Sequence, residues 1–189
     1  MFIFEYFAPL LKQVILLGTG ALTTLRIFFL TLLFSLPLGL LIALARMAPQ
    51  KWLSAPVKLF ILIMRVTPLI LQLIFFYFAP SAILPEGLRF TLPRFSAAVL
   101  AFSLNYAAYF AEIYRGGIES IPQGQYEAAA VLGFTKSQTF FRIILPQVIK
   151  RILPPVSNEV ITLVKDSALI TVLGISELFR VARNEANRL

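Results

Sequence analysis

The sequence EAAAVLG at residues 127–133, continued by FTKSQTFFRIILP at residues 134–146, is the stretch around which the rest of the chain is organised. Pro122 is suited to open a helix before it, and Glu127 would lie in the early turns of that helix, where a carboxylate favours the positive end of the dipole. Gly133 suits a left-handed stop. The pattern predicts a short helix that ends at a glycine corner.

A second short helix is predicted after the corner. Thr135 and Gln138 have capping-box spacing, and we expect the helix that they open to break or bend at Pro146. Several side chains of the two helices would form an apolar face: Tyr126, Ala129, Ala130, Leu132, Phe134, Phe140 and Phe141. Such a face either enters a groove on a soluble partner or packs on the chain's own helices. We call residues 116–146 the corner segment.

The composition is typical of a membrane protein: 59% of the residues are hydrophobic, 14% are charged, and the mean hydropathy is +0.85. The net charge of +8 does not indicate nucleic-acid binding, because the Lys and Arg residues are dispersed between apolar runs and do not form a basic face. The sequence has no Cys and no His, which disfavours metal sites and soluble-type catalysis. No glycine-rich phosphate loop occurs, so any ATP would be hydrolysed on another subunit.

The N-terminal half of the chain predicts two crossings. Residues 1–19 are amphipathic and predict an interfacial segment or a buried core helix, and span one follows over residues 22–45. A cluster of cations after span one places the next connection in the cytoplasm under the positive-inside rule: Arg46, Lys51 and Lys58. Span two covers residues 55–79. The corner segment is also placed in the cytoplasm by its cations.

Span two carries an unusually polar set for a membrane helix: Arg65, Thr67, Pro68 and Gln72. Arg65 and Gln72 are seven residues apart, so we expect them to share a face, and Pro68 to bend the helix between them. Two interpretations stay open. Arg65 snorkels while Gln72 bonds a neighbouring helix, or both line a pathway.

Span three covers residues 95–114, after a polar connection over residues 80–94. Polar side chains follow it on two neighbouring faces, with Asn105, Tyr109 and Glu112 on one and Ser103 and Tyr106 on the other. We expect these two faces to point into the helical bundle, where their side chains either form interhelical hydrogen bonds or line a cavity. Glu112 is expected to pair with Arg115 near the cytoplasmic end.

Span four begins near Gln147, with a bend at its two adjacent prolines, and carries Asn158, Glu159 and Asp166. At about 1.5 Å per residue, Glu159 lies roughly 18 Å beyond Pro146, near the middle of the hydrocarbon layer. An acid at that depth is either functional or paired, with Lys165 or Arg65 as the partner. The apolar residues 168–179 are too few for a straight crossing and predict a re-entrant or interfacial segment.

Several motifs together resemble one family, the permeases of bacterial ABC importers. Residues Glu127, Ala128, Ala129, Gly133, Ile143, Leu145 and Pro146 match the EAA motif of that family at every spacing. Four further stretches resemble its polar amino-acid branch, the histidine, glutamine and arginine uptake type: GALTTL at 20–25, RVTPLILQ at 65–72, AEIYRGGI at 111–118, and Asn158-Glu159 with Lys165-Asp166.

This resemblance implies an all-α, polytopic helical bundle with the type I ABC importer permease fold, a single transmembrane domain over residues 1–189. It implies a multi-pass subunit of the bacterial cytoplasmic membrane, surrounded by lipid, that dimerises with a second permease subunit. It further implies two ATPase subunits, which hold ATP and Mg, and an extracytoplasmic amino-acid-binding protein. No cofactor is expected on this chain. The corner segment would be the coupling segment, contacting the ATPases.

The same resemblance implies a substrate path through the polar breaks of the spans: Arg65, Thr67, Gln72, Ser103, Asn105, Tyr106, Asn158, Glu159 and Asp166. Glu159 and Asp166 would favour a cationic amino acid unless Lys165 and Arg65 neutralise them. The family's last helix has no counterpart here, so we expect either that the sequence is truncated or that this helix is supplied in another way. Val66 replaces a family glycine. Other hypotheses are a permease for another small solute, a passive channel and a membrane-embedded enzyme.

Overall fold

The computed structural model describes residues 2–187, with side chains from residue 11 onward. Its α-helices are α1 (Phe2–Arg46), α2 (Lys51–Val66), α3 (Leu69–Ala82), α4 (Arg94–Glu119), α5 (Gln123–Val131), α6 (Lys136–Gln138), α7 (Leu145–Asp166) and α8 (Leu178–Ala186). Two 3₁₀ segments, Glu86–Leu88 and Ser167–Leu173, and one π-helical segment, Thr139–Ile144, lie between them. Residues 2–187 contain no strand, which confirms the all-α prediction.

The first helix is continuous where the sequence predicted two segments. The predicted boundary near residue 22 is wrong, because α1 passes through it without interruption. Local hydrogen bonds accompany this continuity: Thr19 and Thr23 donate their hydroxyls to the carbonyls of Leu16 and Thr19, at 2.7 and 3.1 Å. Within the described residues, Leu11–Arg46 is the one unbroken helix long and apolar enough to cross a membrane; α2 and α3 would add a second span if they cross as a broken pair.

Span two is broken at Thr67 and Pro68, as the proline predicted. Because α2 ends at Val66 and α3 begins at Leu69, the helical periodicity stops between Arg65 and Gln72, and the expected shared face of these two residues is wrong. At its other end α3 runs to Ala82, past Pro80, where the sequence placed a connection. Helix α4 likewise extends five residues beyond the predicted end of span three, to Glu119.

The chain forms two compact units. The first comprises Met1–Leu33, Thr67–Ser103 and Thr162–Leu189, and the second comprises Phe34–Val66 and Leu104–Ile161. In the first unit, the 3₁₀ segment Ser167–Leu173 packs against α3, and α8 follows a left-handed turn at Gly174.

Helix α8 is tied down by a buried carboxylate. Glu177 is only 1% exposed, and its carboxylate accepts hydrogen bonds from the backbone N–H groups of Phe179 and Arg180, both at 2.6 Å. The backbone N–H of Leu178 donates to the Thr24 hydroxyl of α1 at 3.2 Å. These bonds hold the start of α8 against α1.

In the second unit, small residues allow three helices to approach closely. Ala43 of α1, Ile61 of α2 and two alanines of α4 form a common buried cluster. A Cβ placed on Gly39 of α1 would lie 2.8 Å from the Cβ of Phe110 of α4, so only glycine fits at that crossing. This close packing fixes α2 and α4 on either side of the polar cleft described below.

Candidate functional site

The corner after α5 is closed by the backbone. Gly133 has φ of +76°, its N–H donates to the carbonyl of Ala130, and the N–H of Phe134 donates to the carbonyl of Ala129, both at 3.0 Å. This pair of bonds is the Schellman arrangement that satisfies the last carbonyls of a helix. The predicted left-handed stop at Gly133 is confirmed.

The second helix of the corner segment opens as its sequence predicted. The backbone N–H of Gln138 donates to the Thr135 hydroxyl at 3.3 Å, and the N–H of Thr135 donates to the Gln138 side-chain oxygen at 2.9 Å. These reciprocal bonds make a capping box. The corner is therefore held on both sides of Gly133.

The sequence predicted a break or a bend at Pro146; the break is absent, and the bend stays a prediction. The chain passes from α6 through the π-helical segment Thr139–Ile144 directly into α7, with Pro146 in its first turn. Leu145 donates its N–H to the carbonyl of Phe140, five residues back. In an α-helix the Pro146 ring would clash with the carbonyl four residues earlier, and the wider π turn accommodates it.

The corner segment has one buried face and one exposed face. Its buried face forms a cluster around Ile121, Ile144 and Val148, against which Ile143 packs. Ala129 is also buried, at 1% exposure. Thus part of the apolar face that the sequence predicted packs on the chain's own helices.

The exposed face carries large apolar side chains with no cover in the described part of the chain. Val131 and Leu132 are 87% and 73% exposed, and Phe141 is exposed as well. Glu127 and Ala128 lie on the exposed side too. Sequence analysis missed Val131, because periodicity in a nine-residue helix does not say which flank a neighbouring helix covers.

Arg65 lies in an open cleft of about 530 Å³ in the second unit. The lining residues are Arg46, Lys58, Ile61, Leu62, Arg65, Val66, Tyr109, Glu112 and Arg115. The Arg65 guanidinium carbon is 5.2 Å from the centre of the Tyr109 ring, a cation–π distance. Glu112 and Arg115 pair at 2.6 Å, as predicted, and Arg115 also contacts Glu119 at 2.5 Å.

Gln72 and Thr67 meet at the break between α2 and α3. The Gln72 amide donates to the Thr67 hydroxyl at 2.7 Å and to the Thr67 backbone carbonyl at 3.2 Å. A helix end leaves carbonyls without intrahelical partners, and Gln72 satisfies one of them. Gln72, which is buried, therefore braces the break.

The three predicted path residues on α4, Ser103, Asn105 and Tyr106, are buried. Asn105 donates its amide to the backbone carbonyl of Met64 on α2 at 3.0 Å, which is the interhelical hydrogen bond that the sequence left open as one alternative. The ring of Tyr106 contacts those of Tyr109 and Phe110. Ser103 is buried, and its hydroxyl has no hydrogen-bond partner among residues 2–187.

The remaining predicted path residues lie on α7, which continues through both prolines of span four. Asn158 is exposed, whereas Glu159 and Asp166 are half-buried. Both carboxylates belong to the same unbroken helix, so their seven-residue spacing places them on the same face of it. Their roles stay predictions.

Comparisons with known proteins agree on the kind of molecule. Residues 35–188 match the family model described as "Binding-protein-dependent transport system inner membrane component". The chain is 40% identical to the L-cystine transport system permease protein TcyB of Bacillus subtilis, over 89% of this chain and 70% of that protein. It is 37% identical to the putative glutamine transport system permease protein GlnP of Rickettsia felis, over 95% and 81%. A solved structure, "Crystal structure of an amino acid ABC transporter with histidines", superposes with a TM-score of 0.81 at 36% identity, over 96% of this chain and 82% of that one.

Proposed function

Because this chain belongs to the family of binding-protein-dependent transport system inner membrane components, we propose that it is the permease subunit through which an ATP-driven importer moves a polar amino acid. The relatives are transport subunits, so the expectation of a membrane permease, and not an enzyme, is confirmed. The amino-acid cargo is inferred from the cystine and glutamine permeases and from the amino acid transporter structure that it resembles.

The observation that carries the coupling proposal is the exposed apolar face of the corner segment. Leu132, Val131 and Phe141 project from a backbone that the Schellman bonds and the capping box hold rigid. Such a face suits a groove on an ATPase subunit, as helix-in-groove recognition requires. Glu127 would make polar contacts at the rim of that groove.

Movement of the ATPases would reach the membrane helices through α7. This helix continues directly from the π-helical segment, and Gln147 near its start donates its amide to the Gln125 side chain of α5 at 3.2 Å. Arg151 likewise donates to the Ser120 carbonyl. Closure of the ATPases around ATP and Mg would therefore shift the corner segment and α7 as one body, giving alternating access.

An amino acid needs partners for both a carboxylate and an ammonium group, and the predicted path supplies groups of each kind. Glu159 and Asp166 are suited to the ammonium group, whereas Arg65 and the amide of Asn158 are suited to the carboxylate. We propose that cargo passes these groups in the course of alternating access. A net negative charge around Glu159 would favour a cationic amino acid.

The proposed assembly contains two permease subunits, identical or different, two ATPase subunits and an extracytoplasmic amino-acid-binding protein. The chain would cross the cytoplasmic membrane several times. This inference rests on the family and on the apolar length of α1 and of the broken α2–α3 pair.

Reconstitution tests this function directly. We expect liposomes that contain the permease, its ATPases and the binding protein to accumulate a labelled polar amino acid only when ATP is present inside with the ATPases. Liposomes with the permease alone should show no flux. Flux without ATPase subunits would instead support a passive channel, and accumulation of other solutes in preference to amino acids would contradict the cargo.

A further inference from the structure

The cleft between the end of α1, α2 and α4 carries more positive charge than its surroundings neutralise. Four cationic side chains line it against one carboxylate, Glu112, and that carboxylate is already engaged by Arg115 at 2.6 Å. In the described part of the chain, no carboxylate lies within ion-pair distance of Arg46, Lys58 or Arg65. Three cations therefore share one open space in which Glu112, already paired with Arg115, is the single lining carboxylate.

Such an arrangement favours an anion. Like charges that face the same cleft repel each other, and a bound anion relieves this repulsion while the low-dielectric walls strengthen its attraction. Arg65 is engaged by the Tyr109 ring, at 5.2 Å from its centre. The Arg46 guanidinium presents a planar fork of N–H groups that matches the oxygens of a phosphate.

The apolar lining of the cleft narrows the class of anion. Leu62 and Val66 lie beside the cations and are also exposed, and the neighbouring Leu59 and Ile63 extend the same exposed apolar strip along α2. A small hydrated anion gains nothing from these side chains. A molecule with an anionic head and hydrocarbon chains contacts both the cations and the strip.

The position along α2 agrees with a lipid. Arg46 ends α1 at the connection that the positive-inside rule places in the cytoplasm, and Lys58 lies midway along α2, seven residues or about 10 Å from its start at Lys51. The polar headgroup layer on each side of a bilayer is roughly 5–7 Å thick. Arg46 and Lys58 thus extend from the headgroup layer to the start of the acyl chains.

We propose that this cleft is a binding site for an anionic phospholipid of the cytoplasmic leaflet. Arg46 and Lys58 contact the headgroup phosphate, and Leu62 and Val66 contact the first part of an acyl chain. Basic pockets between membrane helices on the cytoplasmic side are suited to such headgroups. The site is independent of which solute the permease carries.

A tryptophan inside the cleft provides the measurement. Trp52, the one tryptophan of the sequence, lies at the start of α2 and outside the cleft lining, so the parent chain carries Trp52→Phe and Leu62→Trp, and brominated lipid that binds in the cleft quenches the fluorescence at position 62. The purified full-length permease is titrated in mixed micelles with brominated phosphatidylglycerol or brominated phosphatidylcholine. We expect phosphatidylglycerol to quench at the lower mole fraction. Each of Arg46→Gln and Lys58→Gln should weaken its apparent affinity about fivefold.

Lys51→Gln is the matched control, because it removes the same charge from the same helix, beside Trp52 but outside the cleft. We expect this variant to bind phosphatidylglycerol as the parent chain does. Equal losses in Lys51→Gln and Lys58→Gln would overturn the proposal in favour of diffuse surface attraction. Equal quenching by the two lipids, or displacement by inorganic phosphate at the concentration of the lipid, would overturn it as well. Lys58 is exposed, so its variant keeps the test valid even if Arg46→Gln does not fold.

Discussion

Leu132 allows the coupling proposal to be tested without disturbing the fold. It is 73% exposed at the corner, directly before Gly133, and its backbone but not its side chain takes part in closing the corner. Replacing Leu132 with alanine removes about three carbon groups, which at roughly 0.8 kcal/mol per buried CH₂ contribute about 2.4 kcal/mol when fully buried.

The exposed fraction of Leu132 sets how much of this free energy docking can supply. Because 73% of Leu132 is exposed and available for burial by a partner, its truncation is expected to weaken docking by about 1.8 kcal/mol, or about twentyfold in the dissociation constant. The free energy of unfolding of the permease should stay almost unchanged, since substitutions of exposed side chains usually shift stability by about 0.5 kcal/mol or less.

The assay measures the dissociation constant between the permease in nanodiscs and its purified ATPase subunit, with thermal unfolding measured in parallel. Leu88→Ala is the matched control: it makes the same chemical change at a residue that is 67% exposed, in the connection between α3 and α4. Equal affinity of the Leu132→Ala and Leu88→Ala variants for the ATPase would contradict the docking face. A large drop in the melting temperature of Leu132→Ala would contradict its assignment to a free surface.

Three further predictions concern other elements. Gly133→Ala should destabilise the corner by about 1–2 kcal/mol because φ at this position is +76°, and thermal unfolding and ATPase binding measure the effect. Gly87→Ala is the control and should be neutral; equal effects of the two substitutions would contradict the need for a left-handed residue at Gly133. Glu177→Ala should lower the free energy of unfolding by about 1–3 kcal/mol because the N–H groups at the start of α8 lose a buried acceptor, and thermal unfolding and proteolysis of α8 measure the effect. Glu86→Ala, at an exposed carboxylate, should change neither measurement, and an α8 that stays intact in Glu177→Ala would contradict the capping role of Glu177. Glu159→Gln should reduce arginine uptake at least about tenfold more than glutamine uptake in reconstituted transport, because an ammonium or guanidinium group loses its charged partner; equal loss for both amino acids would exclude selection by this carboxylate.

The predictions that came from local chemistry agree with the structure. Gly133, Thr135 and Gln138 act within a few residues of themselves, through a left-handed φ and a capping box, so the neighbouring sequence was enough to place the corner. Glu112 and Arg115 pair for the same reason, since residues three apart on a helix are neighbours. Likewise Pro68 interrupts the helix wherever that helix packs.

The predictions that failed concern continuity. Sequence patterns divided α1 near residue 22 and gave a break at Pro146 as one of two outcomes, yet both helices continue. At Pro146 a π-helical segment makes room for the ring, a backbone adjustment that has no distinct composition. The shared face expected of Arg65 and Gln72 failed because helical periodicity holds only within one unbroken helix.

The amino-acid sequence was enough to establish the apolar composition, the break at Pro68 and the corner at EAAAVLG, because these depend on the solvent and on bonds between near neighbours. Which side of the corner is free was settled by packing alone: Ala129 is covered by the chain's own helices, whereas Val131 and Leu132 are exposed. The cationic cleft likewise exists because Arg46, Lys58, Arg65 and Arg115 come together from three helices. Residues far apart in the chain meet only when their helices pack, and no local pattern encodes that meeting.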